Sequence, residues 1–159
     1  MSLASLMLEQ LAVARRLIEA GQEVVPAWRI TTPDGAFLIF TRFDDQPDRE
    51  HAIVLISRFM AWKMATSFVL TDETWIGADG EDALFVIGVS HHERLAVLQR
   101  IKRGDEMNFG QPMWLARHHV DDRFVAMLPR GETEITADEE AILTSIFGKD
   151  GELPAARLS

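Results

Sequence analysis

Apolar positions recur at helical spacing through the first twenty residues. Leu3, Leu6, Met7, Leu11, Ala14, Leu17 and Ile18 form one stripe, with Glu9, Gln10, Arg15, Arg16 and Glu19 opposite it. This predicts a one-faced helix over residues 3–20, capped by Ser2 and ended by Gly21. The pattern then shifts towards strands. Residues 24–31 read as a strand in which Trp28 and Ile30 alternate with Arg29 and Thr31. Thr32-Pro33-Asp34-Gly35 carries turn chemistry, and 36–43 reads as the return strand. Phe37-Leu38-Ile39-Phe40 is apolar on both faces, which predicts a central place in the sheet.

Asp44-Asp45-Gln46-Pro47-Asp48 predicts a helix start, and the helix should run to about residue 65. Ile53, Ile56, Met60 and Met64 make its stripe, widened by Leu55, Phe59 and Trp62. Such a helix is buried in the core or meets a second subunit, and core packing is the preferred reading. Strands at 67–75 and 83–89 flank a turn at Gly77-Ala78-Asp79-Gly80 and should pair antiparallel. Leu95, Leu98 and Ile101 predict a third helix over 91–103, ended by Gly104. Residues 107–111 read as loop. Residues 113–119 and 123–128 read as a hairpin around Asp121-Asp122. The last helix spans 137–147, with Thr136 and Glu139 at capping-box spacing and Gly148 as its stop. The order is α-ββ-α-ββ-α-ββ-α. It predicts an α+β fold with a mainly antiparallel sheet of about six strands and four helices. Residues 1–148 should form one domain, and 149–159 a turn-rich C-terminal tail.

Composition removes several chemistries. The 159 residues include no cysteine and no tyrosine. Disulfides, cysteine–zinc sites, thiol nucleophiles and phenol catalysts are therefore excluded. The formal net charge of -9 argues against nucleic acid as a partner, because phosphate neutralisation calls for a basic face. The most hydrophobic segment, 52–70, contains Arg58 and Lys63, so no membrane span is expected. Met1-Ser2-Leu3-Ala4 lacks a basic leader and Glu9 interrupts the apolar run, which points to the cytoplasm.

Chemistry concentrates in two adjacent histidine pairs, His91-His92 and His118-His119. Ser90, His92 and His119 are the candidate catalytic residues. Gly88-Val89-Ser90-His91-His92 has the start of a G-x-S-x-G nucleophile elbow, but His92 stands where the last glycine belongs. Ser90 and Glu93 fit a capping box better. His91, His92, His118 and His119 are candidate metal ligands, with Glu93, Asp121 or Asp122 to complete a shell. Adjacent residues diverge on a helix and oppose each other on a strand, so each pair offers one ligand to a simple site. No cofactor is expected, since neither G-x-G-x-x-G nor G-x-x-x-x-G-K-[ST] occurs.

Acidic groups cluster at Asp44, Asp45, Asp48 and Glu50, and at Asp72, Glu73, Asp79, Glu81 and Asp82. A third cluster is Glu132, Glu134, Asp138, Glu139 and Glu140. These suit a basic partner, or dipoles and turns. Trp28, Trp62, Trp75 and Trp114 belong to the core, or line a pocket or interface.

Phe59-Met60-Ala61-Trp62-Lys63, Phe85-Val86-Ile87-Gly88-Val89-Ser90 and Phe147-Gly148-Lys149-Asp150-Gly151-Glu152 resemble small bacterial proteins of unknown function carried near mobile or accessory genes. The resemblance implies an accessory or interaction role and brings no catalytic residues. The leading expectation is a non-enzymatic module that binds another protein, or its own second copy as a homodimer. The alternatives are a small metal- or histidine-dependent hydrolase or lyase, and a small-ligand binder with a pocket between sheet and helix.

Overall fold

In this computed structural model the described residues are 1–42, 46–76, 80–131 and 133–158, with Gln46 and Pro47 described as backbone only. The elements run α1 (Leu3–Glu19), β1 (Ala27–Thr32), β2 (Gly35–Phe40), α2 (Gln46–Trp62), β3 (Ser67–Ile76), β4 (Glu81–Ser90), β5 (Arg94–Lys102), β6 (Asn108–Phe109), β7 (Met113–Leu115), α3 (Asp122–Val125), α4 (Ala137–Phe147) and β8 (Ala155–Leu158). The expected Asp44-Asp45 helix start, most of the Gly77–Gly80 turn, and Phe43, Asp79 and Glu132 lie outside the described residues.

One antiparallel sheet of eight strands organises the chain, in the order β6-β5-β4-β3-β1-β2-β8, with β7 also paired to β5. Helices cover both faces. Leu3, Met7, Leu11, Ala14 and Ile18 of α1 pack on Val69, Leu84, Val86 and Val97. On the other face, α2, α3 and α4 pack on Trp28, Ile30, Phe68, Ile87 and Val89. Alternation explains the split: in β4, Leu84 and Val86 point to α1, while Phe85, Ile87 and Val89 point away. The α+β class stands, with more strands than expected and a different order.

Local chemistry sets several elements as the sequence predicts. Ser2 Oγ accepts from the Ser5 amide to open α1. Thr32 Oγ1 donates to the Gly35 carbonyl and accepts from the Asp34 amide, closing the β1–β2 turn. Gly35 sits at φ 133°, a region open to glycine. Thr136 Oγ1 caps α4 through the Glu139 amide. Glu139 does not complete the capping box, because its carboxylate bonds Arg58 instead.

Four expectations are corrected. The helix over 91–103 is strand β5. Leu95 and Ile101 face α1, Ala96 faces the other layer, and the strand is covered on both sides. The second hairpin is absent: β7 is short, Arg117–His119 form a 3-10 turn, and 123–128 enter α3 and its exit. Phe124, Met127 and Leu128 reach the core at helical spacing, and Asp121 caps α3 by accepting from the Arg123 amide. The Phe37–Phe40 run is not central. β2 lies beside the short outer strand β8, and Phe40 is exposed. Finally, α2 stops at Trp62. Ala65 N–H bonds the Met60 carbonyl and Met64 N–H the Ala61 carbonyl, with Met64 left-handed at φ 54°. This is a glycine-type cap built on methionine, so no stop signal shows in the sequence.

The segment expected as a tail begins with a turn and then adds β8 to the sheet. A Cβ on Gly151 would stand 2.1 Å from the Ile146 carbonyl oxygen, so this turn requires glycine. The strand returns to bond β2, and Arg157 donates to the Asp34 carbonyl.

Asp72 on β3 is partly buried, and burial raises its pKa above the ordinary 3.8; the Glu73 amide and Arg49 oppose this in part. Below the unfolded value both states hold the proton and Asp72 makes no pH-dependent contribution. As pH rises through the ordinary value and then the folded one, the native carboxyl must ionise where charge is disfavoured. Stability therefore falls across that window and stays lower above it. Asp72→Asn is expected to raise the melting temperature at pH 7, with the gain shrinking as pH drops towards 4. Melting curves from pH 4 to 8 check this; a gain independent of pH would reject it.

Candidate functional site

The predicted site residues fall in two places. Ser90 ends β4, and its Oγ accepts from the amides of His92 and Glu93 at 3.2 and 3.1 Å. The expected Ser-x-x-Glu bond therefore forms, but it closes a β4–β5 hairpin loop rather than capping a helix. The strand-to-helix context of a nucleophile elbow is absent, since a strand follows. Gly88 has a packing role: Met7 of α1 lies where its Cβ would be. His91 and His92 are exposed at the tip of this loop.

His118 and His119 are also exposed, on the 3-10 turn. They do not oppose each other across a strand. Their rings lie 4.3 Å apart with a 33° interplanar angle, and both line one cleft. Among the described residues, no three histidine or carboxylate side chains gather in a way that could hold a metal ion.

Three adjoining clefts follow the rim where α2, α3 and β5 meet. The first, about 600 Å³, has an apolar wall from Ala61, Val125 and Leu128 and the cations Arg58, Arg94 and Arg130. The second, about 900 Å³, holds Arg94, Arg117, His118 and His119. Arg94 and Asp122 belong to both. A smaller apolar cleft of about 250 Å³ adjoins the first through Ser57, Arg58 and Met127.

The framework fixes two of these cations. Arg94 opens β5, is largely buried, and donates through Nη1 to Asp122 Oδ1 at 2.6 Å and to the Val120 carbonyl at 3.4 Å. Arg58 projects from α2 and bonds Glu139 of α4 through Nε and Nη2. Each acid uses one edge of a guanidinium that carries five N–H donors. Arg130 is exposed and forms no ion pair among the described residues. Next to them, Arg123 pairs with Glu50 at 2.7 Å.

Part of the second acidic cluster is engaged away from the clefts. Arg103 binds Asp82 at 2.7 Å and Glu73 at 2.8 Å, and Arg100 binds Glu81 at 3.1 Å. Of the tryptophans, Trp28 is core and bonds Thr41, and Trp62 packs edge-on to Phe59 under Lys63. Trp75 and Trp114 are exposed at 76% and 45% and line none of the three clefts.

The arginine rim was not singled out as a site in the sequence. Its members are spread from 58 to 130, with no local spacing to join them. The available signal was a charge inside an apolar run, as at Arg58 in α2 and Arg94 beside Leu95-Ala96-Val97-Leu98. No helix among the described residues is long and apolar enough to cross a membrane. No protein-family model, curated protein or solved structure matches this chain.

Proposed function

We propose that this chain is a non-enzymatic interaction module of the cytoplasm that seats an acidic segment of a partner protein in its arginine-lined cleft. One observation carries the reading: a chain of net charge -9 gathers Arg58, Arg94 and Arg130 around a single half-apolar cleft. Arginine is the cation best suited to carboxylates at partly desolvated sites, because its planar fork gives paired hydrogen bonds. The apolar wall accepts the side chains between the acids. Arg94 and Arg58 are already held by Asp122 and Glu139, so little side-chain freedom is lost on binding.

The test is fluorescence anisotropy with a labelled peptide of alternating glutamate and leucine, set against its glutamine counterpart. The acidic peptide should bind at least about tenfold tighter, and Arg94→Gln with Arg130→Gln should remove that preference, a change of about 1.4 kcal/mol. Equal binding of the two peptides would sink the reading. A cleft of about 600 Å³ also falls within the small-ligand range. A small molecule retained in the native mass spectrum would favour that second reading.

A further inference from the structure

We propose that the second cleft binds the phosphate of a phosphorylated residue carried on the same acidic segment. This rests on the reading that the first cleft seats that segment. Arg94 is the hinge of the argument, since its guanidinium borders both clefts. A chain whose acid lies against Arg94 in the first cleft brings a neighbouring side chain to the second. There it meets Arg117, His118 and His119.

The 3-10 turn makes this grouping. On a strand, neighbouring side chains would diverge to opposite faces. Here both imidazoles stack at 4.3 Å and line the same cleft, beside Arg117. The two carboxylates of the cleft are engaged: Asp121 accepts from the Arg123 amide, and Asp122 from Arg94. Four nitrogen-bearing side chains therefore line one cleft, together with these two carboxylates. A carboxylate, with two oxygens, leaves part of that donor set unused. A phosphate monoester offers three acceptor oxygens and up to two charges, and arginine grips it through two parallel bonds. Recognition of phosphorylated acidic motifs by arginine clusters is an established mode of peptide binding.

The experiment compares the glutamate–leucine peptide with a version carrying one phosphoserine, on the wild-type chain and on Arg117→Gln/His118→Gln/His119→Gln. All three side chains are exposed, and far-UV circular dichroism checks that the variant folds. The phosphopeptide is expected to bind about tenfold tighter than its parent. The triple variant should lose that gain and keep the parent's affinity. Equal affinity of the two peptides, or a gain that survives in the variant, overturns the proposal. A separate titration uses inorganic phosphate alone and follows the imidazole resonances of His118 and His119. Shifts with phosphate but not with chloride support the phosphate site even if the unphosphorylated peptide fails to bind, in which case only the first-cleft reading falls. No shift with phosphate overturns the phosphate site itself.

Discussion

Phe59→Ala is expected to cost the fold about 3–5 kcal/mol, as for a fully buried phenylalanine. Phe59 is 1% exposed and stands where three elements meet. Its ring lies 5.4 Å from Phe37 of β2, 4.8 Å from Phe147 of α4 and 6.0 Å from Trp62. The Phe37 and Trp62 contacts are edge-on, an arrangement that adds attraction beyond area burial. Truncation removes all three ring contacts and leaves a cavity under the helix that carries Arg58. Urea unfolding measures the cost, and Phe59→Leu should recover more than half of it. A loss below about 1 kcal/mol for the alanine variant would mean that α2 is not anchored here. The consequence reaches the cleft, because the Arg58–Glu139 pair joins α2 to α4 on the same packing.

Gly88→Val is expected to destabilise by about 3 kcal/mol, the upper end of the usual cost of overpacking. A Cβ at this position would stand 2.4 Å from Met7 Sδ, 2.9 Å from Met7 Cγ and 3.1 Å from Leu3 Cγ. Met7 is fully buried, so it has little room to retreat. Valine prefers strands to glycine, but by less than this strain. The test pairs Gly88→Val with Met7→Ala. Each alone should destabilise, and the double variant should lose clearly less than the sum, because the small residue at 7 makes room for the large one at 88. Strict additivity, or a Gly88→Val variant as stable as the parent, would show that α1 does not rest on β4 in this way.

Gly88 and Ser90 illustrate how far the sequence could be read. Ser90 is a catalytic candidate because G-x-S at a strand end has a catalytic precedent, while Ser90 with Glu93 fits a capping box better. The residue types were informative, but their causes were structural: a close helix approach at Gly88, and two amides turned onto the Ser90 oxygen. His118 and His119 lie close together and line one cleft. Their geometry was misjudged because a strand was expected where the chain makes a 3-10 turn. Arg94 escaped notice because its partners, Val120 and Asp122, lie far along the chain.

By itself the sequence determined what depends on near neighbours. The amphipathic helix α1, the Thr32–Gly35 turn, the Thr136 cap and the α+β class all follow from periodicity and from side chains bonding backbone within a few residues. The tertiary structure decided the rest. β5 is a strand because β4 pairs along it and both faces are covered, and its apolar run alone fits either a strand or a helix. β8 exists because the edge of β2 offers it backbone partners. The arginine rim exists because α2, β5 and the segment after α3 converge, and charges at separations of 36 residues between Arg58 and Arg94 and again between Arg94 and Arg130 leave no periodic trace. Long-range contact is an outcome of packing, and one-dimensional spacing records only the parts of it that repeat.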